Sequence, residues 1–315
     1  MRRLIECVPN FSEGRDHKRI EALVAALSGI KGASVLDLHS DPDHNRSVVT
    51  LAGEPEPVTE AALRGVGRAV ELIDLRRQRG EHPRIGAIDV LPFVPVEGLT
   101  MENCVALARQ AGEQIWARHN IPVYFYEEAA LRPERKRLES VRSGEFEYLR
   151  DEVLRNHDRI PDIGGPALHS SAGAVAVGAR KFLIAYNINL NTPDVSVAMK
   201  IARSVRTSSG GLPHVKAIGV QLKERGLAQV SMNLTDFEQT SLRRVFDAVR
   251  LEAERNGCSI HGSEIVGLVP RKALGPDDAA YLQLENFSPA SKILETRLEM
   301  KINEGTPDGI SSRSI

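Results

Sequence analysis

Two stretches of this chain run strand–helix–strand–strand–helix–strand. That order, met twice, predicts an α+β protein of two ferredoxin-like (βαββαβ) two-layer α/β sandwich subdomains. Apolar residues recur at helical spacing in some segments, and short strand-like runs bounded by turn residues fill the intervals. The third observation is length: 315 residues are enough for two domains at about 100–200 residues each. The halves share no evident sequence identity, so the repeat is one of topology.

In the first half, residues 4–8 read as a strand stopped by Pro9-Asn10. Ile20, Leu23, Val24 and Leu27 fall at i, i+3, i+4 and i+7 and predict a helix from about Asp16. Residues 35–38 and 47–51 read as strands joined by the turn Asp41-Pro42-Asp43-His44. Thr59 is expected to cap the next helix, whose apolar stripe is Leu63, Val66, Val70 and Ile73. Beyond a basic loop, residues 88–94 supply the last strand of the set. A helix over 101–117 capped by Thr100, a strand over 123–126 and a charged helix around Arg132, Glu134, Arg135 and Lys136 follow. The Gly/Ser-containing loop over 161–173 reads as the break between the halves.

The second set opens with a strand over 182–186. Thr192-Pro193-Asp194 then offers a cap, an N1 proline and an N-terminal acid to a helix buried through Val195, Ala198, Ile201, Ala202 and Val205. Residues 215–222 and 228–234 are strands around the Arg225-Gly226 turn. Asp236 is expected to cap a helix carrying Leu242, Val245, Phe246 and Val249, and residues 265–269 end the set.

Composition limits the function. Lys and Arg total 41 against 42 Asp and Glu, a net charge of -1, which argues against a nucleic-acid partner that needs a basic excess. Aromatics are 4% and do not cluster into stacking platforms. Three scattered cysteines, Cys7, Cys104 and Cys258, form no disulfide framework and have no zinc-ligand spacing. No signal peptide is expected, and the longest apolar runs, about six residues, are far short of the roughly 20 that span a bilayer. The expectation is a soluble cytoplasmic protein with no membrane partner.

Four segments can carry chemistry. Between Arg76 and Gly86 lie four arginines, with His82 among them, an arrangement suited to an anionic substrate and to proton exchange near neutral pH, or to a solvated loop at a helix end. His39, Asp41, Asp43 and His44 invite a metal reading, but the composition is equally that of a hairpin turn, and no metal is expected. A carboxylate there can instead hold a cationic substrate group or orient His82. The run Gly164, Gly165, Pro166, Ala167, Leu168, His169, Ser170, Ser171, Ala172, Gly173 is no Walker A loop. Its small residues let backbone N–H groups approach a ligand, or serve a flexible linker. Asn187 and Asn189, read at the end of a strand, offer donors and acceptors to a pterin-like ligand or simply form a turn.

Taken together, the blocks Glu6-Cys7-Val8-Pro9-Asn10-Phe11-Ser12-Glu13-Gly14, Gly80-Glu81-His82-Pro83-Arg84 and Gly178-Ala179-Arg180-Lys181-Phe182-Leu183-Ile184-Ala185-Tyr186-Asn187-Ile188-Asn189-Leu190 resemble the glutamate formimidoyltransferase (formiminotransferase) family. Gln229-Val230-Ser231-Met232-Asn233-Leu234 and Val266-Gly267-Leu268-Val269-Pro270 continue the likeness over most of the chain. The resemblance implies transfer of a formimino group from N-formimino-L-glutamate to N5 of tetrahydrofolate, a co-substrate, in histidine degradation. It implies subdomains at 1–179 and 180–302 with the ligand site between them, and a homodimer; the polar composition after about Lys301 separately predicts a disordered tail at 303–315. The resemblance makes His82 the catalytic acid/base and residues 164–173 the folate-binding loop. The chemistry then suggests Asp41 as a second catalytic group for the cationic amidine, and Arg46, Arg84 and Asn187 as substrate-binding residues. No cyclodeaminase region is expected after the last matching block, so a separate cyclodeaminase would act on the product. The competing readings are a related folate-dependent transferase using a formyl donor, and a non-catalytic ferredoxin-like binding module.

Overall fold

Strand β1 (Leu4–Cys7) is buried along its whole length, and Pro9, which has no N–H to give a ladder, interrupts it before β2 (Asn10–Phe11) resumes the same row. Both pair antiparallel with β4 (Arg46–Gly53) on one side and β5 (Ile88–Glu97) on the other, and β3 (Ala33–Asp41) pairs with β4 at the edge. Helices α1 (His17–Leu27) and α2 (Pro55–Leu72) fall between these strands in sequence, which completes the expected βαββαβ order. The computed structural model describes residues 2–80 and 82–304. It divides the chain into two compact units, Met1–Arg180 and Lys181–Ile315.

The first unit is larger than one such motif. Helix α3 (Met101–His119), closed by a Thr100/Asn103 capping box, leads to β6 (Val123–Glu127), and β7 (Val175–Ala179) runs parallel to both β5 and β6. The seven-stranded sheet is therefore antiparallel at one end and parallel at the other. Leu91, Phe125 and Val177 face the main core with α2 and α3, whereas Val90, Tyr124, Tyr126 and Ala176 face a second core with Leu149 and Val153. Helices α4 (Leu138–Val141) and α5 (Glu145–Glu152) cover that second face. A parallel edge must be covered on both faces, which is why residues 133–152 form several short pieces there rather than the single charged helix expected.

The second unit orders its strands β11–β8–β10–β9, all antiparallel, from β8 (Ile184–Leu190), β9 (Val215–Leu222), β10 (Leu227–Leu234) and β11 (Ile260–Val266). This is the ferredoxin-like order, with α6 (Val195–Val205) and α7 (Leu242–Arg255) packed on the sheet.

Several local expectations are corrected. Thr59 lies inside α2, which begins at Pro55, and its hydroxyl donates to the Pro55 carbonyl. Asp194, not Thr192, caps α6, and Ser241, not Asp236, caps α7. Asp236 is buried and instead accepts from Lys181 Nζ at 2.5 Å. The loop over 161–173 belongs inside the first unit, because β7 follows it into the sheet. No described helix is long and apolar enough to cross a membrane. The expected tail falls almost wholly outside the described residues.

Candidate active site

The walls of the site come from three backbone segments, β2 with the turn after it, the β3–β4 hairpin, and the α2–β5 connection, tied together by side-chain amides. Asn45, in a left-handed conformation at φ 51°, accepts from Gly14 N at 2.9 Å and donates to the Arg79 carbonyl at 2.8 Å and to Gln78 Oε1. Gln78 Nε2 donates onward to the Ser12 carbonyl, and Ser12 Oγ donates to the Gly86 carbonyl at 2.7 Å. Gly80 passes so close to this hairpin that a Cβ would stand 2.3 Å from the His44 carbonyl oxygen. Buried amides of this kind hold a loop only if their hydrogen bonds are made, and here the connection that carries His82 is clamped to the hairpin that carries Arg46.

His82 meets Arg46 directly: Arg46 Nη1 donates to His82 Nε2, which makes the imidazole an acceptor and therefore neutral. Burial, then the positive charges of Arg46 and Arg142, push the His82 pKa down to about 4, against the opposing pull of Asp89. Burial and Arg142 bring Arg46 down to about 10, so it remains a cation at neutral pH. Asp89, almost fully buried, accepts from Ile85 N at 2.8 Å and from Arg142 Nη2. The cleft among Ser12, His44, Arg46, His82 and Asp89 encloses about 10 Å³, room for roughly one water. On the far side of Asn45 a groove of about 460 Å³ opens between Arg15, Asp74, Arg77 and Arg79.

Asp41 ends β3, and its carboxylate caps its own turn, accepting from Asp43 N and His44 N at 2.9 Å each and from His44 Nδ1 at 2.7 Å. Partial burial raises its pKa, but these bonds from His44 outweigh it and hold the group below the ordinary carboxylate value. The His44 ring stands edge-on to His82 with centroids 6.3 Å apart, so Asp41 reaches His82 through His44. Arg84 is 6% exposed; its guanidinium donates to Glu147 at 2.8 Å, Glu145 at 3.2 Å and the Gln78 carbonyl at 2.9 Å, which builds it into the wall. Arg76 is likewise taken up by Asp74, which that bond holds at about 2. The four arginines of this stretch are thus dispersed among acids rather than massed.

The run from Gly164 to Gly173 lies against the same connection. Leu75 N donates to the Ser171 carbonyl at 2.8 Å, Ala87 N to the Ala172 carbonyl at 2.9 Å, and Ala174 N to the Ile85 carbonyl at 2.9 Å. His169 and Gly173 exchange two backbone bonds of 3.0 Å, and the His169 ring accepts from Ala172 N at 3.0 Å, so the end of the loop is a closed turn. Gly165, Pro166 and Ala167 at its crest are exposed. His82 and the glycine loop, which begins 82 residues later in the chain, are therefore neighbours through hydrogen-bonded backbone.

Asn187 lies elsewhere, within β8 of the second unit, in the interior of the strand rather than in a turn at its end, and its Nδ2 donates to Glu264 Oε1 at 3.0 Å. Asn45, Gln78, Asp89, Arg142, Gln229 and Glu264 were not singled out from the sequence. Only Asn45 carried a signal, as the last residue of a turn-forming run; each of the others has at least one side-chain partner more than 30 residues distant.

Comparison with known proteins places nearly the whole chain in a family. The model of the formiminotransferase domain, N-terminal subdomain, matches residues 4–180, and that of the formiminotransferase domain matches residues 185–302. A glutamate formimidoyltransferase of Streptococcus pyogenes serotype M1 is 46% identical over 298 residues, covering 95% of this chain and 99% of its own. One from Thermoplasma acidophilum is 45% identical with the same coverage. The formimidoyltransferase-cyclodeaminase of Mus musculus is 43% identical over 96% of this chain, which spans 56% of that protein. The resemblance first read in the blocks around Cys7, His82 and Asn187 extends across both units, and the chain belongs to the formiminotransferase domain family.

Proposed function

We propose that this chain is a glutamate formimidoyltransferase, moving the formimino group of N-formimino-L-glutamate to N5 of tetrahydrofolate and releasing L-glutamate, as in histidine degradation. The observation that carries the mechanism is a neutral His82 whose Nε2 faces the Arg46 guanidinium beside the glycine loop. His82 Nε2 takes the proton that N5 loses as N5 bonds to the amidine carbon. It returns that proton to the glutamate nitrogen as the old C–N bond breaks. A histidine held near pKa 4 is always unprotonated at neutral pH but is a weak base. Arg46 supplies the remedy. Its Nε is buried with no partner among the described residues, so a substrate carboxylate can take the guanidinium from His82 and cancel its charge. Donor binding then both frees Nε2 and raises the imidazole toward its working range.

In this reading Asp41 steadies His44 against the amidine cation, and Arg84 positions the His82 loop through Gln78 rather than touching substrate. The exposed crest from Gly165 to Ala167 offers backbone to the folate, with His169, Ser171 and Gly173 as the tied base of the loop. We further place the reaction in the cytoplasm, in a homodimer, with a separate cyclodeaminase consuming the product and with no metal.

The test is formation of 5-formiminotetrahydrofolate from the two purified substrates. His82→Ala should lower kcat by about 10²–10⁴-fold while circular dichroism and folate binding are retained. Turnover by the variant at the native rate would remove His82 from the mechanism. Transfer from N-formylglutamate in preference to the formimino compound would assign a different donor.

A further inference from the structure

The turn between β3 and β4 fixes more than its own backbone. Asp41 divides its carboxylate: Oδ1 accepts from Asp43 N and His44 N at 2.9 Å each, and Oδ2 meets His44 Nδ1 at 2.7 Å. Partial burial opposes ionisation, but the bonds from His44 hold this carboxyl below its ordinary value, so at neutral pH it can only accept. His44 Nδ1 must therefore carry a proton, and in the neutral ring Nε2 is left as a bare lone pair. Nothing among the described residues donates to that nitrogen.

His44 and His82 border the same cleft, their ring centroids 6.3 Å apart. Its volume of about 10 Å³ is that of one water or one amino group. The neighbouring walls are short of donors. Ser12 Oγ spends its one proton on the Gly86 carbonyl at 2.7 Å, and Asn10 is oriented with Nδ2 on the Val8 carbonyl at 2.7 Å. Both have an acceptor left over. Arg84 Nε, buried and without a partner among the described residues, is a single donor set against these three acceptors. Arg84 has Glu147, Arg142 has Asp89, and Arg46 is the guanidinium that receives the donor's carboxylate, so each cation here has an anion of its own.

We infer that the Asp41–His44 pair selects a formimino group over a formyl group. The two differ at one position: the formimino carbon bears the NH2 of a cationic amidine where a formyl carbon bears an oxygen. The amidine N–H donates to His44 Nε2, whereas a formyl oxygen sets its lone pairs against that nitrogen. A site built around a hydrogen bond rejects the analogue that cannot make it far more strongly than an apolar pocket rejects a missing methylene. His44 is the specificity-determining residue, and Asp41 is a positioning residue that sets its tautomer. This inference rests on the transferase reading above and names what that site rejects.

Asp41→Asn tests it by changing one atom. The asparagine oxygen is claimed by the two backbone N–H groups of the turn, so its NH2 faces His44 Nδ1 and moves the ring proton to Nε2. The measurements are kcat/KM for N-formimino-L-glutamate and the Ki of N-formyl-L-glutamate as its competitor. Both are taken at about pH 8, above the ordinary imidazole range near 6.5. In Asp41→Asn the formimino kcat/KM should fall about 100-fold, while the formyl competitor should bind about 10-fold more tightly. Structural damage would weaken both. Weakening of both together, or no change in either, would overturn the inference and leave the proposed function standing. A native chain that transfers no formimino group would overturn both. Proton–nitrogen correlation spectra of the native imidazoles read the tautomer without mutation. His44 should carry its proton on Nδ1, and a neutral ring protonated on Nε2 would overturn the inference even where Asp41→Asn does not fold.

Discussion

Arg46 controls His82 by charge as much as by contact. Replacing it with an uncharged side chain of similar length, Arg46→Met, removes one of the cations that depress the imidazole. Its pKa should climb from about 4 toward the ordinary value near 6.5, read from the His82 Cε1–H shift in an NMR titration. An unmoved titration would show that Arg46 does not act on His82 through its charge. The same depression has a stability consequence. An unfolded chain takes up the His82 proton near 6.5 and the folded chain only near 4, so stability present above pH 6.5 is lost as pH falls through that window. Arg46→Met should lose less of it. In the sequence His82 was legible because a histidine among arginines in a loop is unusual, and the family resemblance singled it out. Its low pKa was not legible, since Arg46, Arg142 and Asp89 come from three other places in the chain.

At the scale of elements, the glycine loop depends on how its stem is held. Arg135 and Asp162 form a buried pair at 2.5 Å, with side chains 5% and 3% exposed, and Asp162 also accepts from Phe125 N at 2.8 Å, pinning the segment before Gly164 to β6. Asp162→Ala leaves Arg135 buried with only the Asp158 and Ile160 carbonyls, and should cost about 3 kcal/mol in urea unfolding. A loss under 1 kcal/mol would mean the two carbonyls suffice. Amphipathic helices such as α1, α6 and α7 were readable because one face is apolar at regular spacing. Strand β7 was missed: Val175-Ala176-Val177-Gly178-Ala179 is small and follows a glycine-rich loop, so locally it resembles linker. It becomes a strand because β5 and β6 supply partners on both sides.

For the molecule as a whole, one reporter is built in. Trp116 is the single tryptophan, on α3, and Gly164 lies so close to it that a Cβ there would stand 2.6 Å from its ring. Folate held by the loop should therefore change Trp116 emission after correction for ligand absorbance, and Trp116→Phe should abolish the signal. No change at saturating 5-formyltetrahydrofolate would place the folate away from this loop. What the sequence determined by itself was the βαββαβ order of both units, the family, and the segments around His82 and Gly164, because periodicity and long motifs are properties of neighbours in the chain. Tertiary structure alone decided that Arg46 sits on His82 and that the glycine loop is laced to the His82 connection. Hydrogen-bond direction and charge coupling act across angstroms of space between residues that the chain keeps tens of positions apart.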